Sequence, residues 1–233
     1  MSTYAEFDHS QIPDRRFLKA IDGDGNEIAR FPVSATLLSL HSEVFRNIFY
    51  SESFRTIDDE MNMEEPPEHI AMLLGQLYPI VSEPINLLTV APLLQMATKY
   101  IVSILLKRCE AFIEEHGSAN KRQKLKDWEK LDKSVSSADK QTTPRPVALT
   151  LMECMSLSVI YNLNPIKEKL MKELSTAYLH TFYMENPDAL EAPYEVQSFL
   201  WSIFSQGIQE DQKKRVWKKR SQAKKNKKVK EEE

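Results

Sequence analysis

The sequence is poor in the residues from which catalytic and metal sites are commonly built. It has only five glycines and two cysteines in 233 residues, and it contains no glycine-rich phosphate-binding loop. The cysteines, Cys109 and Cys154, form no Cys-x-x-Cys pair. We therefore expect two buried thiols in a protein of a reducing, intracellular compartment.

Other residues that carry out chemistry are equally sparse. The histidines show no metal-ligand spacing with one another or with the cysteines; they are His9, His41, His69, His116 and His180. No serine is framed as a nucleophile elbow, and no Cys–His arrangement is readable from the chain. The sequence therefore predicts a binding protein, not an enzyme, with no cofactor and no bound metal.

Long hydrophobic runs and a signal sequence are also missing. No apolar run approaches the length of about 20 residues that a membrane-spanning helix needs. Residues 1–16 lack the basic and then apolar pattern of a secretory signal. We expect an intracellular protein that does not enter a membrane.

Charge is distributed unevenly along the chain, although the net charge is only −3. Residues 213–233 hold 11 Lys or Arg and three Glu, which gives this segment a charge of +8. The rest of the chain therefore carries −11. An acidic body followed by a basic tail requires a separate explanation for each part.

Two short segments near the start predict a β-hairpin. Residues 15–21 and 27–33 alternate roughly between apolar and polar side chains. They flank the turn-forming sequence DGDGN at residues 22–26. Further along, Met61 and Met63 alternate with polar neighbours, which predicts one more short strand.

The sequence DGDGN also resembles the start of a calcium-binding loop, because acidic or amide side chains alternate in it. An EF-hand requires Gly at its sixth position and Glu at its twelfth, and these positions hold Glu27 and Val33. A tight hairpin turn is therefore the better interpretation of residues 22–26.

The stretch TLLSLHSEVFRNIF, residues 36–49, would bury His41 and Ser42 if it were a single amphipathic helix. Leaving either group unpaired would cost about 1–3 kcal/mol. The conflict disappears if one short helix ends at His41 and Ser42 caps a second helix. His41 is then structural, and the second helix buries Val44, Phe45, Ile48 and Phe49.

Helical periodicity dominates the rest of the chain. Three helices are predicted before Gly117, which is a natural helix stop. The polar segment that follows has one helical piece around residues 125–131. The predicted parts are an N-terminal segment at 1–13, a first domain at 14–116, a polar linker at 117–146, a helical region at 147–208 and a basic tail at 209–233.

A pattern of apolar residues in one helical pair recurs in another. Around Tyr100, and again 61 residues later around Tyr161, the sequence predicts a helix, an aromatic corner and a second helix. The two segments match in character rather than in identity. Chance similarity between amphipathic helices is the alternative explanation.

The run FPVSATLLSLHSEVFRNIF, residues 31–49, resembles the signature of the BTB (POZ) domain. It has an aromatic-x-Val strand end, a Leu-containing helix and then Ser-x-x-Phe. The resemblance continues through LLGQLYP and EPINLLTVAPLLQMATKYIVSILLKRCEAFI and covers about residues 14–115. It implies a small sheet capped by a helical cluster. The predicted fold class is therefore α+β, with an all-α region and the basic tail following this domain.

The resemblance also implies a protein–protein interaction adaptor that forms a homodimer. Asp14 matches an acid that commonly opens the family's first core strand, often near the dimer seam. The candidate dimer-interface residues are Asp14, Phe17, Leu37 and Leu40. The sequence does not identify the client protein.

Many members of this family dock a cullin ubiquitin-ligase scaffold through a hydrophobic-x-Glu motif just after the second helix. The matching segment here is YSESFRT, residues 50–56, in which Tyr50 and Phe54 are the candidate docking residues. Thr56 stands where Glu is expected, which weakens this alternative. Nothing in the chain resembles the Kelch or MATH modules of some members.

Two basic runs fit nuclear-import patterns. The linker run contains Lys121, Arg122 and Lys124, and the tail run contains Lys224, Lys225, Lys227 and Lys228. Alternatively, the tail binds nucleic acid through its phosphates, with Trp217 as a stacking residue. That would suit a nuclear or transcription-related protein that uses its first domain for dimerisation. A solubilising tail is the third interpretation, and the nucleus is slightly favoured over the cytoplasm.

Overall fold

The computed structural model describes residues 12, 14–51, 60–78, 84–134, 145–174, 179–206, 208 and 213. The chain divides into two compact units between Leu149 and Thr150. The first unit combines a small sheet with helices, and the described part of the second is helical. The α+β class predicted from the sequence is confirmed, whereas the five-part division of the chain stays a prediction.

The sheet has three strands in the order β2-β1-β3. β1 (Arg15–Ile21) pairs with β2 (Glu27–Ser34) as the predicted antiparallel hairpin, and β3 (Glu60–Met63) lies parallel to β1. Alternation along the strands places one face in the core, because successive side chains point to opposite faces. The buried members of that face are Leu18, Ala20, Val33 and Met63.

The hairpin turn is held by Asp22. Its carboxylate Oδ1 accepts the backbone N–H of Asp24 at 3.0 Å and that of Asn26 at 2.8 Å. Gly25 has a φ of +84°, a conformation that glycine adopts without steric cost. The tight-turn interpretation of this segment is confirmed, since the carboxylate bonds to the turn itself.

Helices make up most of the remaining described residues. They are α1 (Ala35–His41), α2 (Glu43–Tyr50), α3 (Pro67–Leu77), α4 (Val90–Lys99), α5 (Ser103–His116), α6 (Ala119–Ser134), α7 (Leu151–Ile160), α8 (Asn164–Leu174) and α9 (Leu179–Glu185), followed by a 3₁₀ turn (Pro187–Leu190) and a helical run at 194–206. Across the described ranges, no helix is both long and apolar enough to cross a membrane.

The predicted break between α1 and α2 is confirmed. α1 ends at His41, and the Ser42 side chain accepts the backbone N–H of Phe45 at 3.1 Å, which caps α2. The Phe45 side chain is fully buried, and the other predicted core positions of α2 are half-buried.

α6 is longer than the helical piece predicted within the polar linker, and it is anchored to the end of α5. The Arg122 side chain is buried and donates a hydrogen bond to the carbonyl of Gly117, while Leu125 is also buried. Residues 145–149 reach the same place, since the Leu149 N–H donates to the His116 carbonyl at 3.0 Å. The polar sequence around Arg122 suggests that its side chain is exposed to solvent. In the structure this side chain is instead buried and satisfies a carbonyl at the end of a helix.

The corner between α4 and α5 is a Schellman motif. The N–H of Val102 donates to the carbonyl of Ala97 at 2.8 Å, and the N–H of Ile101 donates to that of Thr98 at 3.3 Å. Ile101 has a φ of +51°, which is a costly backbone conformation for a β-branched residue. Tyr100 caps α4 immediately before it.

The corner between α7 and α8 repeats this geometry. The N–H of Leu163 donates to the carbonyl of Ser158 at 2.8 Å, and the N–H of Asn162 donates to that of Val159 at 3.2 Å. Asn162 has a φ of +54°, and Tyr161 caps α7. The sequence echo therefore corresponds to the same helix–corner–helix geometry in both units, with the strained Ile101 replaced by Asn162, which tolerates the conformation.

We expect Asn162→Ile to destabilise the second unit by about 1–2 kcal/mol, because a β-branched residue must then adopt the left-handed conformation. Asn162→Gly is the matched control, since glycine adopts that conformation freely. Urea unfolding of the full chain measures both variants. Equal stability of the isoleucine and glycine variants would show that the corner is not strained.

Candidate protein-interaction surfaces

One buried acid holds the first unit together. Glu65, which follows β3, is ion-paired with Lys99 and accepts a hydrogen bond from the Tyr100 hydroxyl at 2.8 Å. The Tyr100 carbonyl accepts the Ser42 hydroxyl at 2.5 Å, and its ring stacks on Phe45 with centroids 5.0 Å apart. The α4–α5 corner, the end of β3 and the start of α2 are therefore fixed by one set of contacts.

The electrostatics of this network favour an ionised Glu65 and a neutral Tyr100. Burial tends to raise the pKa of Glu65, but the hydrogen bonds and charge of Lys99 and Tyr100 outweigh it, and the pKa is lowered on balance. Burial, and then the neighbouring Glu65 carboxylate, raise the pKa of Tyr100. The carboxylate is occupied by partners of its own chain, which makes it a structural group rather than an exposed acid.

Asp14 positions the start of α1. Its carboxylate accepts the Ser34 hydroxyl at 2.9 Å and the Thr36 N–H at 2.5 Å, and its carbonyl accepts the Ala35 N–H at 3.3 Å. Burial tends to raise the pKa of Asp14, but the hydrogen bonds from Thr36 and Ser34 lower it on balance. Asp14 was predicted as a dimer residue; here it bonds within its own chain.

Phe17 lies on the outer face of the sheet, where it is half-buried. The guanidinium carbons of Arg15 and Arg30 lie 5.5 and 5.3 Å from its ring centroid, within cation–π range. Arg30 is also ion-paired with Glu60 at 3.0 Å, and Lys19 is paired with the same carboxylate. The outer face is therefore a charged surface around one aromatic ring.

The two candidate leucines of α1 differ in exposure. Leu40 is 71% exposed, whereas Leu37, one turn earlier, is half-buried. Leu38 between them is fully buried and anchors the helix. An exposed leucine on an anchored helix is a good contact residue, because the helix does not have to be ordered on binding.

The structure brings together Asp14 and Tyr50, which the sequence assigned to different surfaces. Tyr50 is exposed at the end of α2, and its hydroxyl lies 3.1 Å from the Thr36 hydroxyl. Thr36 in turn donates its N–H to Asp14. Phe54, the other candidate for cullin docking, lies outside the described residues, as does Thr56.

The linker basic run is partly used by the fold. Lys121 is ion-paired with Glu115 at 2.9 Å, Arg122 is buried against Gly117, and Lys124 is exposed. The tail candidates lie outside the described residues; they are Lys224, Lys225, Lys227, Lys228 and the stacking candidate Trp217.

The described residues include no group of three or more His, Cys, Asp or Glu that would suit a metal ion. Both cysteines are buried thiols outside any disulfide, as predicted, and burial raises the pKa of Cys109 to about 12. A thiol with so high a pKa is a poor nucleophile at neutral pH.

The family model of the BTB/POZ domain matches residues 25–117. This match and the three-stranded sheet with its helices show that this part of the chain is a BTB/POZ domain, which is a protein–protein interaction module. The match begins inside the hairpin turn, so β1 precedes the matched residues but pairs fully with β2. No curated protein matches the chain.

Sequence reasoning missed Glu65 and Lys99 as determinants of this module, and it missed the burial of Arg122 just beyond it. Glu65 and Tyr100 are separated by 35 residues, and no periodic pattern links them. The sequence signal for Glu65 was its position immediately after a short strand and before two prolines. The same pattern is equally typical of the start of a helix.

We expect Glu65→Gln to weaken the dependence of folding stability on acidic pH. Because the folded-state pKa of Glu65 lies below its unfolded value, ionised Glu65 stabilises the fold above about pH 4.5, and this contribution is lost as the pH falls further. Urea unfolding at several acidic pH values measures the slope. Glu64→Gln, at an exposed neighbour, is the control; equal slopes for wild type and Glu65→Gln would contradict this role.

Proposed function

We propose that this protein is a non-enzymatic binding adaptor that forms a homodimer through its BTB/POZ domain. The observation that carries the proposal is the exposed Leu40 on α1. In a twofold symmetric dimer the same patch of each protomer meets its copy, so one apolar residue is used twice. A large exposed leucine surrounded by ordered structure is the kind of anchor that such contacts bury.

The rigid placement of α1 supports this proposal. At its start, Ser34 donates its hydroxyl to Asp14 and its N–H to the Tyr78 hydroxyl at 2.8 Å. Near its end, the Arg46 guanidinium donates two hydrogen bonds to the Ser39 carbonyl, at 3.1 and 3.2 Å. A helix fixed at both ends loses little conformational freedom on association.

The adaptor mechanism follows from the two-unit organisation. A dimer of BTB/POZ domains displays two copies of the C-terminal helical unit and of the basic tail. Two linked copies of one binding surface raise the apparent affinity for a repetitive or dimeric client.

We expect the full chain to be a dimer at micromolar concentration and Leu40→Glu to be a monomer, because a charge would be desolvated in the interface. Light scattering coupled to gel filtration measures both masses. Leu88→Glu is the matched control, since Leu88 is 87% exposed outside the proposed face.

A stable pair should bury above about 1,000 Å². A monomeric wild type would overturn the proposal, and a dimeric Leu40→Glu would exclude α1 as the interface.

A cullin-scaffold adaptor is the second candidate, supported by the exposed Tyr50 at the end of α2, where the docking segment begins.

We expect Phe54→Ala to abolish any co-purification of cullin while leaving the dimer intact. Thr56→Glu restores the acid of the family motif and should strengthen binding. Tight cullin binding that Phe54→Ala leaves unchanged would place the docking surface elsewhere.

Nuclear import through the tail is favoured over import through the linker run, because Lys121 and Arg122 are engaged within the first unit. We expect loss of nuclear fluorescence of a tagged protein when the four tail lysines are neutralised; these are Lys224, Lys225, Lys227 and Lys228. Neutralising Lys121 and Lys124 is the control and should have no effect.

A substitution at Trp217 distinguishes nucleic-acid binding by the tail from nuclear import. With about six phosphates contacted, log K would fall with log salt at a slope near −5 on duplex DNA. Trp217→Ala would weaken single-strand binding by about 1–3 kcal/mol and leave import unchanged. Uniform cytoplasmic distribution without salt-sensitive binding would leave only a solubilising role for the tail.

A further inference from the structure

His116 holds the segment at 145–149 against the end of α5. The His116 carbonyl accepts the Leu149 N–H at 3.0 Å, and its ring nitrogen Nδ1 lies 3.0 Å from the Val147 carbonyl. Ala148 and Leu149 are buried, and α7 begins shortly after this segment. One residue therefore has both a backbone contact and a side-chain contact with the chain that leads into the second unit.

The Nδ1 atom of His116 has two neighbours that make opposite demands on it. A carbonyl only accepts hydrogen bonds, so the contact with Val147 requires a proton on Nδ1. The Lys121 ammonium lies 3.3 Å from Nδ1 and only donates, so this contact requires a lone pair there. Because each nitrogen of a neutral imidazole is either a donor or an acceptor, the neutral ring satisfies one of these two contacts at a time.

Protonation of the His116 ring decides this competition in favour of Val147. Both nitrogens of an imidazolium donate, so Nδ1 then forms a charge-assisted hydrogen bond to the Val147 carbonyl. The other nitrogen, Nε2, lies 3.7 Å from the Glu115 carboxylate, and this ion pair exists only when the ring is charged. Lys121 keeps a partner in that state, since its ammonium pairs with the same carboxylate at 2.9 Å.

The charged side chains that contact the His116 ring come from two helices. α5 provides Glu115, whose pKa is lowered by the hydrogen bond and charge of Lys121 and then by His116, so its carboxylate is ionised at neutral pH. α6 provides Lys121, a cation that opposes protonation of the ring. The acid and the base that flank the ring are therefore paired with each other, which limits the repulsion between Lys121 and an imidazolium.

The remaining neighbours of the His116 ring do not oppose its charge. Phe112 lies against the imidazole with ring centroids 4.3 Å apart, and an aromatic face attracts a cation more than a neutral ring. The Arg122 guanidinium donates to the Gly117 carbonyl, and Arg145, the charged residue of the segment, is exposed. The protonated ring is therefore well accommodated at this site.

We propose that His116 is a pH-sensitive clasp, which binds the segment at 145–149 more tightly when its imidazole is protonated. Histidine changes charge between about pH 5 and 8, so the clasp is tighter at the acidic end of this range and is loosened as the pH rises. By thermodynamic linkage, the closed clasp also binds the proton more tightly than the open segment does. The pH thereby controls how firmly the first unit holds the chain that leads to α7.

Amide hydrogen exchange of Leu149 in the full chain, followed by NMR and corrected for unfolded-chain rates, tests this proposal. We expect the protection of Leu149 to be about 3–30-fold higher at about pH 5.5 than at about pH 7.5, because a charge-assisted hydrogen bond is roughly twice as strong as a neutral one. The Gly117 N–H donates to the Ile113 carbonyl within α5, so its protection is the internal reference and should change little.

Three variants assign the pH dependence to the ring. His116→Gln offers an amide donor to Val147 but does not titrate, so protection of Leu149 should be the same at both pH values. Lys121→Met removes the competing donor and should raise this protection at about pH 7.5. His41→Gln, at a half-buried histidine at the end of α1, is the matched control and should keep the wild-type pH dependence.

Equal protection of Leu149 at the two pH values in the wild type would overturn the proposal, and so would protection that falls on acidification. A pH dependence that His116→Gln leaves unchanged would assign it to another group. Unchanged protection in Lys121→Met at the higher pH would show that Lys121 does not compete with Val147 for the ring.

Discussion

The fold of the first unit depends on Tyr100 and the groups it joins. Its hydroxyl satisfies the buried carboxylate of Glu65, its carbonyl accepts the Ser42 hydroxyl, and its ring stacks on Phe45. A hydrogen bond to a buried charged group is worth about 1.5–3 kcal/mol, a large share of the 5–15 kcal/mol that stabilises a typical domain. Ser42 and Phe45 belong to the start of α2 and Glu65 follows β3, so Tyr100 ties the α4–α5 corner both to α2 and to the end of the sheet strand β3.

Comparison with Tyr161 distinguishes the backbone geometry of the corner from the contacts that Tyr100 makes with other parts of the first unit. Both tyrosines precede the same left-handed corner, with the same pattern of backbone hydrogen bonds. For Tyr161, burial is the cause that raises the pKa, whereas Tyr100 also feels the carboxylate of Glu65. The corner is therefore set by the helix-end hydrogen bonds and the left-handed residue, and Tyr100 adds to it the hydrogen bond to Glu65.

Local signals in the sequence predicted the local structure well. The hairpin, the cap at Ser42, the short strand around Met61 and the repeated corner each depend on residues a few positions apart, and each is present. The contacts that sequence reasoning missed are nonlocal or hidden by polarity. Glu65 finds Tyr100 across 35 residues, and the basic character of Arg122 suggested solvent although its side chain is buried. Of the two candidate leucines on α1, exposure distinguishes Leu40 from Leu37, which the hydrophobic pattern alone could not do.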